Sequence, residues 1–114
     1  MRIYEDGTNL DKMIIEEPML IVLFGADDCG VCYALKEKID IYTKKHPIMS
    51  SIYVSIDKYP HVAVEEGVFS APALIVYMME RVIIDKRGIF SMQEVTYSID
   101  KYLTIFKDEL KNYV

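Results

Sequence analysis

The chain has 114 residues, and its 13 Lys and Arg against 18 Asp and Glu give a formal net charge of −5 at pH 7. This acidic balance argues against nucleic acids and anionic membrane surfaces as partners, because both bind proteins through an excess of positive charge. The hydrophobic fraction of 52% is too high for a disordered chain. The length predicts one compact domain over residues 1–114, which can bury about two thirds of its unfolded surface.

The sequence shows no membrane span and no export signal. The longest strongly apolar run, residues 19–24, is far shorter than the roughly 20 residues that a membrane-spanning helix needs. Residues 1–11 contain three acidic side chains and lack the apolar core of a signal peptide. We therefore expect a cytoplasmic protein that does not bind membranes.

The first half of the chain predicts helices alternating with strands. Thr8 is the predicted N-cap of a first helix that ends at Pro18. The apolar run over residues 19–24 is typical of a strand that is covered on both faces. Helical spacing then extends over residues 29–45, and the alternation over residues 49–56 predicts the next strand.

The second half predicts a short helix, a hairpin and a closing helix. These elements cover residues 59–66, 72–77 with 82–85, and 91–110. Met79 and Glu80 form the predicted hairpin turn, and Ser91 with Glu94 is a predicted capping box for the last helix. With a short strand near residues 2–4, the order predicts an α/β protein whose mixed four- or five-stranded sheet is flanked by helices on both faces.

The two cysteines lie together in the tetrapeptide Cys29-Gly30-Val31-Cys32. In an intracellular chain, such a close pair indicates redox or metal chemistry more often than a structural crosslink. A zinc site would need two further ligands, and the histidines His46 and His61 lack the short spacing of a zinc finger. A metal or cluster bridged between two chains would also use such a pair, and two cysteines that only pack as small apolar residues would show the same spacing.

Several segments of the chain match the pattern of one known family. An apolar strand leads into Ala26-Asp27-Asp28-Cys29-Gly30-Val31-Cys32, and this order of strand, CxxC motif and helix resembles the thioredoxin superfamily. Downstream, Ile56-Asp57-Lys58-Tyr59-Pro60 and Val68-Phe69-Ser70-Ala71-Pro72 resemble the segment after the next strand and the stretch that contains the family's cis-proline. Gly88 falls on a glycine that usually borders the substrate groove. The resemblance implies a thioredoxin fold.

The resemblance also implies a thiol–disulfide oxidoreductase that reduces protein disulfides without a cofactor or a metal. Its partners would be a protein disulfide substrate and a dithiol reductant, for which a thioredoxin reductase is a candidate. The exchange requires one exposed thiolate and a second thiol nearby. At a helix start the unpaired N–H groups favour a cysteine anion, so we expect Cys29 to be the nucleophile and Cys32 the resolving cysteine.

The same resemblance implies an apolar substrate groove beside the cysteines, with Pro72 in the cis form. Its expected residues are Gly30, Val31, Ala71, Pro72 and Gly88. The residue before the proline would offer its main chain to an extended substrate. Arg87, next to Gly88, is either a solvated residue at a strand end or a contact for acidic substrate segments.

Four positions depart from the family pattern. Asp28 and Val31 stand where thioredoxins generally have tryptophan and proline, Leu23 replaces a buried aspartate, and Tyr53 replaces the lysine that accompanies it. We expect three of them to modulate the cysteines. Asp28 caps the helix or disfavours the thiolate, Leu23 cannot accept a proton, and Tyr53 fills the far face of its strand or hydrogen-bonds to Cys32. The departures also leave room for a non-catalytic interaction module or a metal-linked module.

Overall fold

The computed structural model describes residues 1–113, which build a five-stranded mixed sheet. The strands are β1 (Arg2–Ile3), β2 (Met19–Gly25), β3 (Met49–Ser55), β4 (Ala73–Met78) and β5 (Arg81–Arg87). The helices are α1 (Leu10–Glu16), α2 (Gly30–Lys44), α3 (Pro60–Glu65), α4 (Met92–Ile105) and α5 (Lys107–Lys111). The sheet order is β1-β3-β2-β4-β5, in which β3 is parallel to β1 and β2 and the pairs β2–β4 and β4–β5 are antiparallel.

The central strand β2 is buried along its whole length, as its apolar run predicts. Its alternate side chains enter two separate hydrophobic clusters. Met19, Ile21 and Leu23 pack with residues of α2, α4 and α5, whereas Leu20 and Phe24 pack with residues of α1 and α3. Helices therefore cover both faces of the sheet, and the predicted fold class is confirmed. Within residues 1–113, we find no helix that is both long and apolar enough to cross a membrane.

The predicted cap of the first helix is wrong. Asn9 is the N-cap, and its side-chain oxygen accepts a hydrogen bond from the Lys12 backbone N–H at 3.0 Å. The Thr8 hydroxyl instead accepts the backbone N–H of Glu5 at 3.2 Å, within the preceding turn. Asn and Thr are both good caps, so the backbone path through that turn decides between them.

The closing helix starts as predicted but is interrupted. Ser91 caps α4 and accepts the backbone N–H of Glu94 at 3.4 Å. Phe106, with φ −107° and ψ 25°, then separates α4 from α5. The apolar stripe continues across this break, because the buried Leu110 joins the same cluster as α4. The periodicity thus predicts the buried face, whereas it does not reveal the break.

The hairpin strand β5 is longer than predicted and reaches the edge of the sheet where β2 ends. Met79 and Glu80 form the predicted turn with positive φ angles of 49° and 72°. From there β5 continues to Arg87, which pairs with Ala73 at the start of β4. Since Ala73 also pairs with Phe24 near the end of β2, the last residues of β5 lie close to the cysteine motif.

Candidate active site

Cys29 and Cys32 form a disulfide at the N-terminus of α2, with their Cα atoms 5.3 Å apart. Cys29 is the N-cap of this helix, and its Sγ accepts the backbone N–H of Cys32 at 3.2 Å. The predicted acidic cap is therefore wrong, since the sulfur itself occupies that place and Asp28 is exposed. The two sulfurs differ in access, because Cys32 is 1% exposed and Cys29 is only partly buried.

The turn before Cys29 is held from the neighbouring strand. The Asp57 carboxylate accepts the backbone N–H of Asp27 at 2.8 Å, and the Cys29 N–H donates to the Ala26 carbonyl at 3.2 Å. Because β2 and β3 are parallel, their carboxyl ends meet at one edge, which brings Asp57 to the motif. Asp57 was not among the predicted site residues. Its position just after a strand parallel to β2 was the signal that could have identified it.

Leu23 lies in the hydrophobic interior on the α2 side of the sheet. It is fully buried and belongs to the same cluster as Leu35, which follows Cys32 by one helical turn on α2. Its neighbour in register on β3 is Tyr53, so both side chains point to the same face. The position that holds a carboxylate in the family is thus occupied by an aliphatic side chain with apolar surroundings.

Tyr53 packs against the hydrophobic cluster on the α2 face of the sheet, so the predicted far face is wrong, although the ring does fill core volume. The Lys36 Nζ lies 4.9 Å from the centre of its ring. A Cβ at Gly25 would lie 2.7 Å from the Tyr53 Cζ and closer still to its hydroxyl, so a glycine is needed there. Within residues 1–113, the side-chain hydrogen bonds include none between Tyr53 and Cys32.

The Tyr53 hydroxyl is held in its neutral form. Burial is the main cause that raises its pKa, and the nearby Tyr33 phenol and the Asp27 and Asp57 carboxylates add to the effect. A neutral phenol can donate a hydrogen bond to a nearby anion, but it is a poor proton acceptor. Its chemical character therefore differs from that of a carboxylate base.

The predicted groove residues all lie at the edge of the sheet that carries the disulfide. Gly30 and Val31 open α2, and Val31 is 57% exposed. The Ala71–Pro72 peptide bond is cis, and the Pro72 carbonyl accepts the backbone N–H of Gly88 at 3.0 Å. Gly88 has a φ of +74°, which favours glycine. Their contact with a substrate stays a prediction.

Arg87 lies exposed at the end of β5, but its guanidinium is engaged within the chain. Its Nε and Nη2 donate to the two carboxylate oxygens of Asp85 at 2.8 and 3.1 Å. Its Nη1 donates to the backbone carbonyl of Gly67. Asp85 precedes Arg87 by two residues on the same strand, a spacing that places both side chains on one face. These contacts occupy the groups that would bind an acidic substrate segment, and such binding stays a prediction.

Two exposed apolar side chains beside the groove were missed. Phe69 is 79% exposed in the loop before Pro72, and Ile89 is fully exposed directly after Gly88. Large apolar residues next to a predicted groove proline and glycine were the signal for them. Residues 1–113 contain no group of three or more His, Cys, Asp or Glu side chains that is placed to hold a metal ion.

The family model for thioredoxin matches residues 3–101, which is most of the chain. The chain belongs to the thioredoxin family. Its sequence is similar to thioredoxin-1 of Schizosaccharomyces pombe, with 25% identity over 72 residues that cover 63% of this chain and 70% of the relative.

Solved thioredoxins share the fold. The oxidised thioredoxin of Plasmodium falciparum superposes with a TM-score of 0.76 and 25% identity, covering 89% of this chain and 96% of the other. Fasciola hepatica thioredoxin gives a TM-score of 0.74 with 20% identity, covering 88% and 98%. Together with the Cys29–Cys32 disulfide, membership of the thioredoxin family makes this chain a dithiol–disulfide oxidoreductase.

Proposed function

We propose that this thioredoxin-family protein reduces protein disulfides, with Cys29 as the nucleophile and Cys32 as the resolving cysteine. The observation that supports this assignment is the unequal solvent exposure of the two cysteines at the start of a 15-residue helix. Cys29 is partly exposed and its sulfur already accepts a backbone N–H, whereas Cys32 is 1% exposed. The helix N-terminus and this N–H favour the Cys29 thiolate once the disulfide is reduced.

The reaction consists of two exchanges. The Cys29 thiolate attacks one sulfur of the substrate disulfide, which forms a mixed disulfide and releases the other substrate sulfur as a thiolate that takes up a proton. The Cys32 thiol then loses its proton to water and attacks the Cys29 sulfur, and the second substrate sulfur leaves as a thiolate that takes up a proton from water. The substrate gains two electrons and two protons, and the protein is left with the Cys29–Cys32 disulfide. A dithiol reductant regenerates the two thiols by the reverse exchange.

The groove supports a protein segment as the substrate, because it offers main-chain groups beside an accessible sulfur. Ala71 has a small side chain, so an extended substrate can approach its backbone N–H and C=O groups closely. Gly30, Val31 and Gly88 leave the surface open on either side, since nothing lies within 4 Å of a Cβ placed on either glycine. We infer that the substrate is an extended protein segment that carries a disulfide.

Leu23 and Asp28 are proposed to make this reductase slow. An aliphatic side chain at position 23 cannot take the proton from the Cys32 thiol, and burial without a charged partner keeps that thiol protonated. The negative charge of the exposed Asp28 lies one residue before Cys29 and disfavours its thiolate. We therefore expect disulfide reduction well below the rate of an ordinary thioredoxin.

The role of each cysteine is tested by trapping. Cys32→Ser retains the nucleophile but cannot resolve, so it should accumulate mixed disulfides with a protein disulfide substrate. Cys29→Ser is the matched control and should trap little, because the Cys32 sulfur is buried. The measurement is the fraction of protein in mixed disulfides by non-reducing electrophoresis and mass spectrometry. Equal trapping by the two variants would contradict the assignment.

The partners and location follow as parts of the same proposal. The reductant is a dithiol protein, with a thioredoxin reductase as the candidate to test by coupled turnover. A cytoplasmic location is supported by the two cysteines being used as a redox pair and not as structural crosslinks. We also propose that residues 1–114 act as one thioredoxin-like domain, since all five strands belong to one sheet.

A further inference from the structure

The segment of residues 67–72, which links α3 to β4, is tied at both ends to two consecutive residues of the β5 terminus. At one end the Arg87 Nη1 donates to the Gly67 carbonyl. At the other end the Gly88 backbone N–H donates to the Pro72 carbonyl at 3.0 Å. Residues 69 and 70 between these ties are exposed. The Gly67 end is also held by the Gly67 and Val68 N–H groups, which donate to the Val64 and Ala63 carbonyls at 2.9 and 2.8 Å, and by the buried Val68 side chain. Arg87 is the side chain from β5 that adds to these contacts.

The Arg87 side chain and backbone are each held in place by contacts other than the one with Gly67. Two of its nitrogens bind both carboxylate oxygens of Asp85, so the guanidinium plane is set by a two-point contact. The backbone of Arg87 is set as well, because it pairs with Ala73 of β4. The third nitrogen then points at the Gly67 carbonyl. Gly67 has a φ of +72°, a conformation that glycine adopts without strain and that ends α3.

We propose that Arg87 is a positioning residue for the substrate. With Asp85 it holds the Gly67 end of the 67–72 segment, so that the Ala71 main chain meets the substrate in one orientation. This inference rests on the proposed function, in which Ala71 contacts the substrate beside Cys29. Lysine cannot replace arginine here, because an ammonium group is a point charge without the planar arrangement that binds Asp85 and a carbonyl together.

Loss of this tie should weaken substrate binding more than it changes the chemistry. Without the Arg87 contact, the exposed part of the segment would be less restrained. It would then lose more conformational entropy each time a substrate binds. We expect KM for a protein disulfide to rise about three- to tenfold while kcat stays within about twofold. A small aromatic disulfide, which needs no extended contact with Ala71, should be reduced at the wild-type rate.

The experiment compares Arg87→Lys and Arg87→Gln with Arg81→Gln as the matched control. Arg81 is an exposed arginine at the opposite end of β5, so its replacement removes the same charge away from the site. KM and kcat are measured with insulin and with a small aromatic disulfide. Amide hydrogen exchange over residues 67–72 is followed in the oxidised protein without substrate. A thermal melt checks that the variants fold, which exposed positions should allow.

Support requires that both Arg87 variants raise the insulin KM and speed amide exchange in the 67–72 segment, while Arg81→Gln does neither. A wild-type KM for Arg87→Lys would overturn the inference, because charge alone would then suffice. A raised KM without faster exchange would also overturn it, since the segment would not have been held by Arg87. Failure of the wild-type protein to reduce insulin would instead overturn the proposed function, and the inference with it.

Discussion

The surroundings of the two sulfurs are built in different ways. Below Cys32, the α2 face of the sheet is made of side chains, with the buried Leu23 next to Tyr53. Beside Cys29, the surface is made of main-chain contacts, such as the N–H of Gly88 on the Pro72 carbonyl. A main-chain hydrogen bond can persist when the side chains of its two residues change, whereas a buried cluster depends on the shape of each side chain. The departures from the family pattern divide along the same line: Leu23 and Tyr53 lie in the region of packed side chains, whereas Asp28 is exposed beside Cys29.

The largest expected effect comes from restoring a carboxylate on the Cys32 side. Leu23→Asp would supply a base for the Cys32 thiol, so release of a Cys29-linked peptide should be at least about tenfold faster. The same charge would be buried without a cationic partner, which should cost about 3–5 kcal/mol of unfolding free energy when it is ionised. The measurements are single-turnover peptide release and urea unfolding.

The pH dependence of this variant has a definite sign. Burial raises the pKa of the introduced carboxyl above its unfolded value, so the folded state holds the proton at pH values where the unfolded state has lost it. Stability of Leu23→Asp should therefore fall as the pH rises from the unfolded pKa to the folded one. Leu23→Asn is the matched control, because it buries a polar group that cannot take a proton. Faster release by Leu23→Asn would contradict the role of the base.

The next effect tests how closely Tyr53 packs against the end of β2. Gly25→Ala would place a Cβ 2.7 Å from the Tyr53 Cζ, so the ring must move and the variant should lose about 1–3 kcal/mol of stability. Tyr53→Ala should remove most of that penalty when the two changes are combined. The measurement is a double-mutant cycle of urea unfolding free energies. Additive losses would show that the ring and Gly25 do not interact.

The same contrast separates what the sequence could predict from what it could not. The apolar run of β2 and the alternation of helical and strand patterns predicted a mixed sheet flanked by helices, because burial and periodicity are visible in consecutive residues. The thioredoxin fold was predicted from the resemblance to that superfamily, and the cysteine spacing alone left redox, metal and packing roles open. The placement of Leu23 and Tyr53 as neighbours in the family pattern matches their register in the sheet. The contact of Arg87 with Gly67 could not be predicted from a local sequence pattern, because it joins residues 20 positions apart.

The sequence also could not decide some local features, such as which of two neighbouring residues caps a helix. Asn9 and Thr8 are both capable caps, and the backbone path decided for Asn9. The apolar stripe continues across Phe106 from α4 into α5, so the stripe does not reveal where the helix is interrupted. Asp57 was visible within the segment that resembles the family, but its hydrogen bond to Asp27 depends on the parallel pairing of β2 and β3.

The smallest expected effect concerns the Tyr53 hydroxyl, and it sharpens the distinction between space filling and chemistry on the Cys32 side. Burial raises the Tyr53 pKa, so the group remains a neutral phenol at neutral pH and is a poor proton acceptor. Its side chain makes no hydrogen bond to Cys32 within the part of the chain that the structure describes. Tyr53→Phe should therefore change stability by less than about 0.5 kcal/mol and peptide release by less than about twofold.

Tyr53→Leu provides the comparison that gives this result its meaning. Leucine removes the ring as well as the hydroxyl, so both the packing of the ring over Gly25 and its cation–π contact with Lys36 are lost. We expect this variant to lose about 1–3 kcal/mol in urea unfolding while Tyr53→Phe does not, because the ring is what fills the space. A large fall in the rate of peptide release for Tyr53→Phe would instead show that the hydroxyl takes part in the chemistry. The phenol would then donate a hydrogen bond to the developing Cys32 thiolate, and it would take over part of the task of the missing carboxylate.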